Sequence, residues 1–111
     1  MPLYLDRHDL PEVSAGDVAH AHARDLAVQD KHGVRFMTYW FDVRSHCTFC
    51  LVEAPTAEAA IQVHRESHGL LPNKVIEVDA VVVEAFLGRI TDPTATVVDN
   101  KPIDESGTRV V

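Results

Sequence analysis

The chain has 111 residues and 46% of them are hydrophobic, so it is long enough for one domain with a modest core and too apolar for general disorder. Its formal charge of −7 at pH 7 argues against a nucleic-acid partner, because no stripe of Lys and Arg is present to neutralise phosphates. No apolar run approaches the roughly 18 residues that span a bilayer, and the first residues lack the pattern of a secretory signal. We therefore predict a cytoplasmic protein with no membrane partner.

The first part of the chain predicts a strand, a helix and a second strand. Apolar and polar residues alternate over about 2–8, which is typical of a strand. Ser14 is a suitable N-cap for a helix over about 15–32, with an acid three residues later to complete a capping box, and Gly33 ends it. The aromatic and β-branched residues over about 34–43 predict the second strand.

The second part predicts two more strands around a second helix. The third strand covers about 47–53 and the fourth about 74–79. Between them, Thr56 is a suitable N-cap and Gly69 ends the helix. The apolar stretch that follows the fourth strand predicts a short terminal helix.

The element order βαββαβ predicts an α+β fold of the ferredoxin-like kind, with a four-stranded antiparallel sheet and two helices on one face. The other sheet face would leave large apolar groups such as Trp40 in water, so we predict a homodimer that pairs two sheets. The domain covers residues 1–88. After Gly88 the chain becomes polar and aperiodic, and we expect 89–111 to be a tail that is mobile or ordered by a partner.

The two cysteines form a CxxC pair, Cys47 and Cys50, on the third predicted strand. Residues i and i+3 of a strand point to opposite faces. We therefore expect neither a disulfide nor a shared zinc site between them, and we expect one buried thiol and one more exposed thiol.

The stretch VHRESHG on the second predicted helix places His64 and His68 four residues apart. Both continue the apolar stripe of the helix, and a pair at this spacing can hold one metal ion between two imidazoles. Because the motif is not HExxH, the spacing leaves two alternatives open. One is a metal site, and the other, which spacing alone favours, is a pair of partly buried structural histidines.

Other candidate ligands lie on neighbouring elements. Asp6 and His8 share one face of the first strand, and a carboxylate beside an imidazole suits Ni(II), Zn(II), Co(II) or Cu(II), a general acid/base pair, or a solvated strand end. His22 lies on the apolar stripe of the first helix, where Asp25 could orient an imidazole. Glu53 could add an oxygen ligand.

The motifs of common cofactors are absent from the sequence. The chain has only five glycines, and none form a phosphate-binding GxGxxG or GK[ST] loop. There is also no nucleophile elbow. We predict no nucleotide, flavin or haem cofactor.

Several of these motifs together resemble a small actinobacterial family catalogued as a domain of unknown function. The shared pattern comprises D-x-H on the first strand, H-x-x-D-L-x-x-Q on the first helix, Y-W on the second strand, F-C-L-V-E on the third and V-H-x-x-x-H-G on the second helix. The resemblance covers about residues 2–88. One described branch is a nickel-binding, dimeric, ferredoxin-like α+β barrel. The resemblance implies that the family's motif residues match ten positions of this sequence, namely Asp6, His8, His22, Tyr39, Trp40, Cys50, Glu53, His64, His68 and Gly69.

From the candidate ligands and the resemblance to this family, we predict a protein that binds a divalent transition-metal ion, with nickel preferred. The first candidate ligands are His8, His64 and His68, the second are Asp6, His22 and Cys50, and the pocket residues or partners of ligands are Tyr39, Trp40, Glu53 and Asp25. Since the imidazoles must be neutral to bind, affinity should fall below about pH 6.5.

Two other functions stay open. One is an α+β barrel enzyme of the isomerase or monooxygenase type, in which Asp6, His8 and Tyr39 move a proton on a small organic substrate. The other is a regulatory or interaction module that uses the tail over 89–111 as an arm.

Overall fold

A computed structural model describes residues 1–88, and the predicted tail over 89–111 lies outside the described residues. The predicted order βαββαβ is confirmed, with a third short helix after the last strand. The elements are β1 (Leu3–Asp9), α1 (Ala15–Val28), a 3-10 turn (Gln29–His32), β2 (Arg35–Asp42), β3 (Cys47–Glu53), α2 (Ala57–Ser67), β4 (Lys74–Val78) and α3 (Ala80–Leu87).

The four strands form one antiparallel sheet in the order β2-β3-β1-β4. This α+β arrangement fits the predicted ferredoxin-like order. In the two central strands, Asp6 lies opposite Cys50 and His8 lies opposite Thr48. Because alternate residues of a strand share a face, these four side chains lie on the same face of the sheet.

A bulge in β2 changes which of its side chains face the helices. The register with β3 shifts between Phe36 and Thr38, so that Phe36 pairs with Val52 and Tyr39 pairs with Cys50. Residues three apart on a regular strand would face opposite ways, but a bulge adds one residue and restores the face. Phe36 and Tyr39 therefore both pack in the core under the helices.

The capping signals of the first helix are confirmed. The Ser14 hydroxyl accepts the backbone N–H of Asp17 at 3.1 Å, and the Asp17 carboxylate accepts the N–H of Ser14 at 2.9 Å. The α-helix ends at Val28, earlier than predicted, because the last turn tightens into the 3-10 turn over Gln29–His32. Gly33 closes that turn with φ 66°, a conformation that favours glycine.

The second helix begins after Thr56, whose hydroxyl accepts a backbone N–H of the first turn. It ends at Ser67, so that His68 follows the helix with φ −147° instead of continuing it. Gly69 then turns the chain with φ 77°, and its N–H donates to the carbonyl of His64 at 2.8 Å. None of the helices within residues 1–88 is both long and apolar enough to cross a bilayer.

The core lies between the sheet and the helices α1 and α2. Its buried apolar residues are Tyr4, Val34, Phe36, Cys50, Val52, Ala54, Ala60 and Val63. Several ionisable side chains are also buried between the sheet and these helices, namely Asp6, His8, His22, Asp25 and His64. Burying such groups is unfavourable unless they are hydrogen-bonded or paired, so their contacts decide what this part of the core does.

The other face of the sheet carries exposed apolar side chains, as the sequence predicts. Trp40 is 42% exposed and Ile76 is 43% exposed. The short helix α3 adds more apolar surface, with Phe86 and Val81 among its most exposed residues.

Both cysteines are free thiols, and they face opposite sides of the sheet. Cys50 lies on the helix-covered face, opposite Asp6. Cys47 lies opposite Asp9, to whose carboxylate its thiol donates at 3.1 Å, and Arg7 donates to its sulfur at 3.3 Å. The expectation that one thiol would be more exposed is wrong, because Arg7 and Asp9 cover Cys47 and both thiols are buried.

Candidate metal centre

Two groups of metal-ligating side chains lie in the core within residues 1–88. The first group comprises Asp6, His8, Cys50 and His64. The second comprises Asp25, His64 and His68. Within each group, the ligand atoms all lie within 4.8 Å of one another. His64 belongs to both groups, so its ring lies between them.

Three elements build the first group. The strand β1 places Asp6 and His8 two residues apart on one face, and β3 adds Cys50 directly opposite Asp6. The helix α2 places the ring of His64 against this face of the sheet. The Asp6 carboxylate then contacts both rings, His8 Nε2 through Oδ1 at 3.0 Å and His64 Nε2 through Oδ2 at 2.8 Å.

The four side chains of this group are almost fully buried, with no more than 5% of any residue exposed. Burial alone would raise the pKa of Asp6, but hydrogen bonds and charge from His64 and His8 outweigh it and lower the pKa. Burial alone would lower the pKa of His64. Its hydrogen bonds to Asp25 and Asp6 and their negative charges outweigh burial and raise the pKa to about 9. At neutral pH, His64 is therefore an imidazolium held between two carboxylates.

The first group fits a transition-metal ion. Ligand atoms bound to one ion at about 2.1 Å are separated by about 3 to 4.2 Å in common geometries. The contacts of 2.8 and 3.0 Å and the outer limit of 4.8 Å require only small movements to reach that range. Among the described residues, the buried His8 Nδ1 and Thr48 Oγ1 have no hydrogen-bond partner, and such atoms call for an ion or an ordered water.

The second group joins the two helices. Asp25 of α1 contacts His64 Nδ1 at 3.1 Å and His68 Nε2 at 3.0 Å through Oδ1. The Ser67 hydroxyl donates to the same carboxylate at 2.5 Å. Burial would raise the pKa of Asp25, but the hydrogen bonds from His64 and His68 and the charge of His64 lower it well below its usual range.

A small cavity borders both groups. Its volume is about 30 Å³, and His8, Cys50, His64 and His68 all contribute to its lining. A water molecule needs about 10 to 15 Å³ of such volume, so the cavity has room for one or two waters beside the candidate ligands.

The remaining predicted site residues lie around this centre or away from it. His22 is buried against the rings of Tyr39 and Phe36, with centroid distances of 4.6 and 6.3 Å, and it belongs to neither ligand group. Tyr39 lines the cavity. Trp40 lies opposite Phe49 on the other face of the sheet, away from the helices.

Glu53 ends β3 opposite Leu3, half-buried and outside both groups. Two polar residues beside the centre were not predicted. Ser67 lies one helical turn after His64 and contacts Asp25, and Thr48 lies opposite His8. A serine or threonine in an apolar stripe is too common to indicate a site, so the sequence offered little signal for them.

Comparison with known proteins agrees with these observations. The family model described as "Nickel responsive protein SCO4226-like" matches residues 4–78. The chain belongs to the SCO4226-like family. The crystal structure of SCO4226 from Streptomyces coelicolor A3(2) is similar, with 33% sequence identity, a TM-score of 0.62, and coverage of 68% of this chain and 94% of that one. No curated protein matches.

The resemblance inferred from the motifs is thus confirmed, because the SCO4226-like match identifies the same small actinobacterial family. The matched range, 4–78, includes every residue of both ligand groups. The family description names nickel responsiveness, and the core of this chain holds His, Asp and Cys groups that suit a metal ion.

Proposed function

We propose that this chain binds one divalent first-row transition-metal ion through Asp6, His8, Cys50 and His64. The observation that carries the proposal is the convergence of four ligand atoms within 4.8 Å inside the core. Two imidazoles, a thiol and a carboxylate form a donor set of intermediate softness, which suits nickel, zinc, cobalt or copper better than magnesium or calcium. When bound, such an ion supplies positive charge that offsets the carboxylate and the thiolate.

Nickel is the preferred ion in this proposal because the family description names it. Ligand affinity alone places Ni(II) above Co(II), Fe(II) and Mn(II) but below Cu(II). Selectivity for nickel over copper therefore depends on site geometry and on metal supply. A protein whose ligands include a free thiol also suits a reducing compartment, and we place its action in the cytoplasm.

Binding is favoured over catalysis by the size of the cavity. The enzyme alternative needs room for an organic substrate next to Asp6, His8 and Tyr39, and ligand pockets usually measure about 300 Å³ or more. The cavity beside His8 and Tyr39 is about 30 Å³, which suits water ligands of an ion. The larger pocket of about 430 Å³ that shares His68 with it is not lined by Asp6, His8 or Tyr39. The alternative that uses the tail as an interaction arm stays a prediction, since 89–111 lies outside the described residues.

Elemental analysis of untagged protein, purified without a nickel column, tests the proposal. Titration calorimetry with Ni(II) and Zn(II) follows, on the wild type and on His8→Gln and His64→Gln. We expect one ion per chain in the wild type and loss of the stoichiometric site in each variant. His20→Gln is the matched control, because His20 is exposed on α1 and belongs to neither ligand group.

Because His64 separates two buried carboxylates, His64→Gln has a risk of unfolding, and circular dichroism must accompany it. His8→Gln provides the second test, since His8 has fewer contacts. Stoichiometric binding that survives in a folded His8→Gln or His64→Gln variant would contradict the proposed site.

We also propose that the chain forms a homodimer through the open face of the sheet, giving the dimeric barrel expected from the sequence. A groove on this face has an entirely apolar set of lining side chains, namely Leu5, Trp40, Phe49, Leu51, Val78, Val83 and Leu87. A chain of this size rarely leaves such a surface in water, and a two-fold axis lets one patch cover its own copy.

Light scattering at micromolar concentration tests the dimer. We expect twice the chain mass for the wild type and a monomer for Trp40→Glu, which would bring unpaired charges into the interface. Val43→Glu is the control, because Val43 is 66% exposed but lies in the hairpin loop. A monomeric wild type would contradict this proposal without affecting the metal site.

A further inference from the structure

The second group of candidate ligands poses a specific question about His64. Its Nε2 atom faces Asp6 at 2.8 Å, and its Nδ1 atom faces Asp25 at 3.1 Å. The contacts of His68 Nε2 with His64 Nδ1 at 3.2 Å and with Asp25 at 3.0 Å complete a compact triangle. This triangle is either a second metal site that shares His64 or a hydrogen-bonded group that holds the ring of His64 in place.

The position of the proton on the His68 ring distinguishes a second metal site from a hydrogen-bonded group. The backbone N–H of Leu70 donates to His68 Nδ1 at 3.0 Å, so Nδ1 is an acceptor. In a neutral imidazole only one nitrogen accepts, and the other carries the proton. That proton is on Nε2, which faces the Asp25 carboxylate. A metal ion on Nε2 would move the proton to Nδ1, directly against the N–H of Leu70.

Asp25 is already a satisfied acceptor. It receives the Ser67 hydroxyl at 2.5 Å, the Nε2–H of His68 at 3.0 Å and the Nδ1–H of His64 at 3.1 Å. Only 2% of the residue is exposed. Three donors from α2 and its C-terminal end thus fix one carboxylate of α1, and this carboxylate in turn accepts the Nδ1–H of His64.

The consequence is a defined orientation for His64. Without an ion, His64 is an imidazolium that donates from both ring nitrogens. An ion at the first group would replace the proton on Nε2, and Asp25 would hold the remaining proton on Nδ1, so that the lone pair of Nε2 points to the first group. A carboxylate behind a ligating histidine sets its tautomer and increases its basicity, and its loss typically costs about 10- to 100-fold in metal affinity.

We propose that Asp25, Ser67 and His68 form a positioning group that orients His64 toward the metal ion, and that they hold no ion of their own. This inference rests on the proposed function, because it assumes an ion at the first group. It divides the VHRESHG motif into two roles. His64 is a ligand, whereas His68 holds Asp25, although its spacing from His64 is that of a metal clip.

The test compares Asp25→Asn and His68→Gln with the wild type by nickel titration and by X-ray absorption of the nickel-loaded protein. We expect one ion per chain and two imidazole ligands in all three proteins. Above about pH 9, where protons no longer compete for His64, the affinity should fall about 10- to 100-fold in Asp25→Asn and less in His68→Gln. Asp30→Asn is the matched control, because Asp30 is an exposed acid in the 3-10 turn that follows α1.

A second readout separates positioning from general support of the fold. Without the Asp25 carboxylate, the pH at which affinity levels off should move downward in Asp25→Asn, whereas a merely structural loss would leave that pH unchanged. Ser67→Ala, which removes only one donor to Asp25, gives a milder variant if Asp25→Asn does not fold, and its affinity should also fall.

The outcomes are distinct. Two ions in the wild type, with one lost in His68→Gln, would show a second metal site and overturn the inference. One imidazole fewer in nickel-loaded His68→Gln, or unchanged affinity above about pH 9 in both Asp25→Asn and Ser67→Ala, would overturn it too while leaving the proposed function intact. A wild type that binds no ion would overturn both.

Discussion

The affinity for the metal ion should depend steeply on pH, because His64 is held between Asp6 and Asp25. Together these carboxylates outweigh burial and raise the pKa of His64 to about 9. An ion needs the lone pair on Nε2, so it must displace one proton whenever the pH is below that pKa. Each pH unit below about 9 then weakens the apparent affinity about tenfold, or about 100-fold between pH 9 and pH 7.

This pH range differs from the sequence-based expectation, in which the metal affinity falls only below about pH 6.5. Nickel titrations from pH 6.5 to 9, with a competing chelator of known affinity to control free nickel, measure the slope. Cys50→Ser isolates the histidine, since a thiol ligand releases a proton of its own. Affinity in this variant should rise about tenfold per pH unit across the range. A curve that is flat above pH 6.5 would show that the ion displaces no proton from His64 in this range.

Three further predictions concern stability and ligand identity. The raised pKa of His64 stabilises the metal-free fold fully below about pH 6.5, and this contribution is lost as the pH rises through about 9. Urea unfolding after chelation should therefore give a free energy of unfolding lower by on the order of 3 kcal/mol at pH 9.5 than at pH 6.5, and equal values would contradict the pairing. Cobalt-loaded wild type should show sulfur-to-metal charge-transfer absorption that Cys50→Ser lacks, and absorption that persists in the variant would exclude Cys50 as the ligand. Thr56→Ala should cost about 1 kcal/mol by loss of the α2 N-cap without changing nickel stoichiometry, and an unchanged urea midpoint would show that the cap contributes little.

Most of the fold was predictable because its signals are local. The capping box of Ser14 and Asp17, the N-cap Thr56 and the positive-φ Gly33 each mark a helix boundary within a few residues. The 3-10 turn at Gln29–His32 was not predicted, since the tightening of a last turn leaves no distinct pattern. The bulge in β2 was also missed, although it is what brings Phe36 and Tyr39 to one face.

The candidate site was only partly predictable, because it depends on register and tautomer. Spacing indicated that Asp6 and His8 share a face, but only strand pairing places Cys50 opposite Asp6. The pair His64 and His68 looked like one unit. Their difference comes from a single backbone N–H at Leu70, which no sequence pattern encodes.

We propose that one metal ion lies among Asp6, His8, Cys50 and His64. The most direct test is anomalous diffraction at the nickel absorption edge, on crystals of the untagged chain grown with one equivalent of Ni(II). We expect one strong peak between the side chains of these four residues. A peak confined to exposed histidines such as His20, or to the triangle of Asp25, His64 and His68, would contradict it.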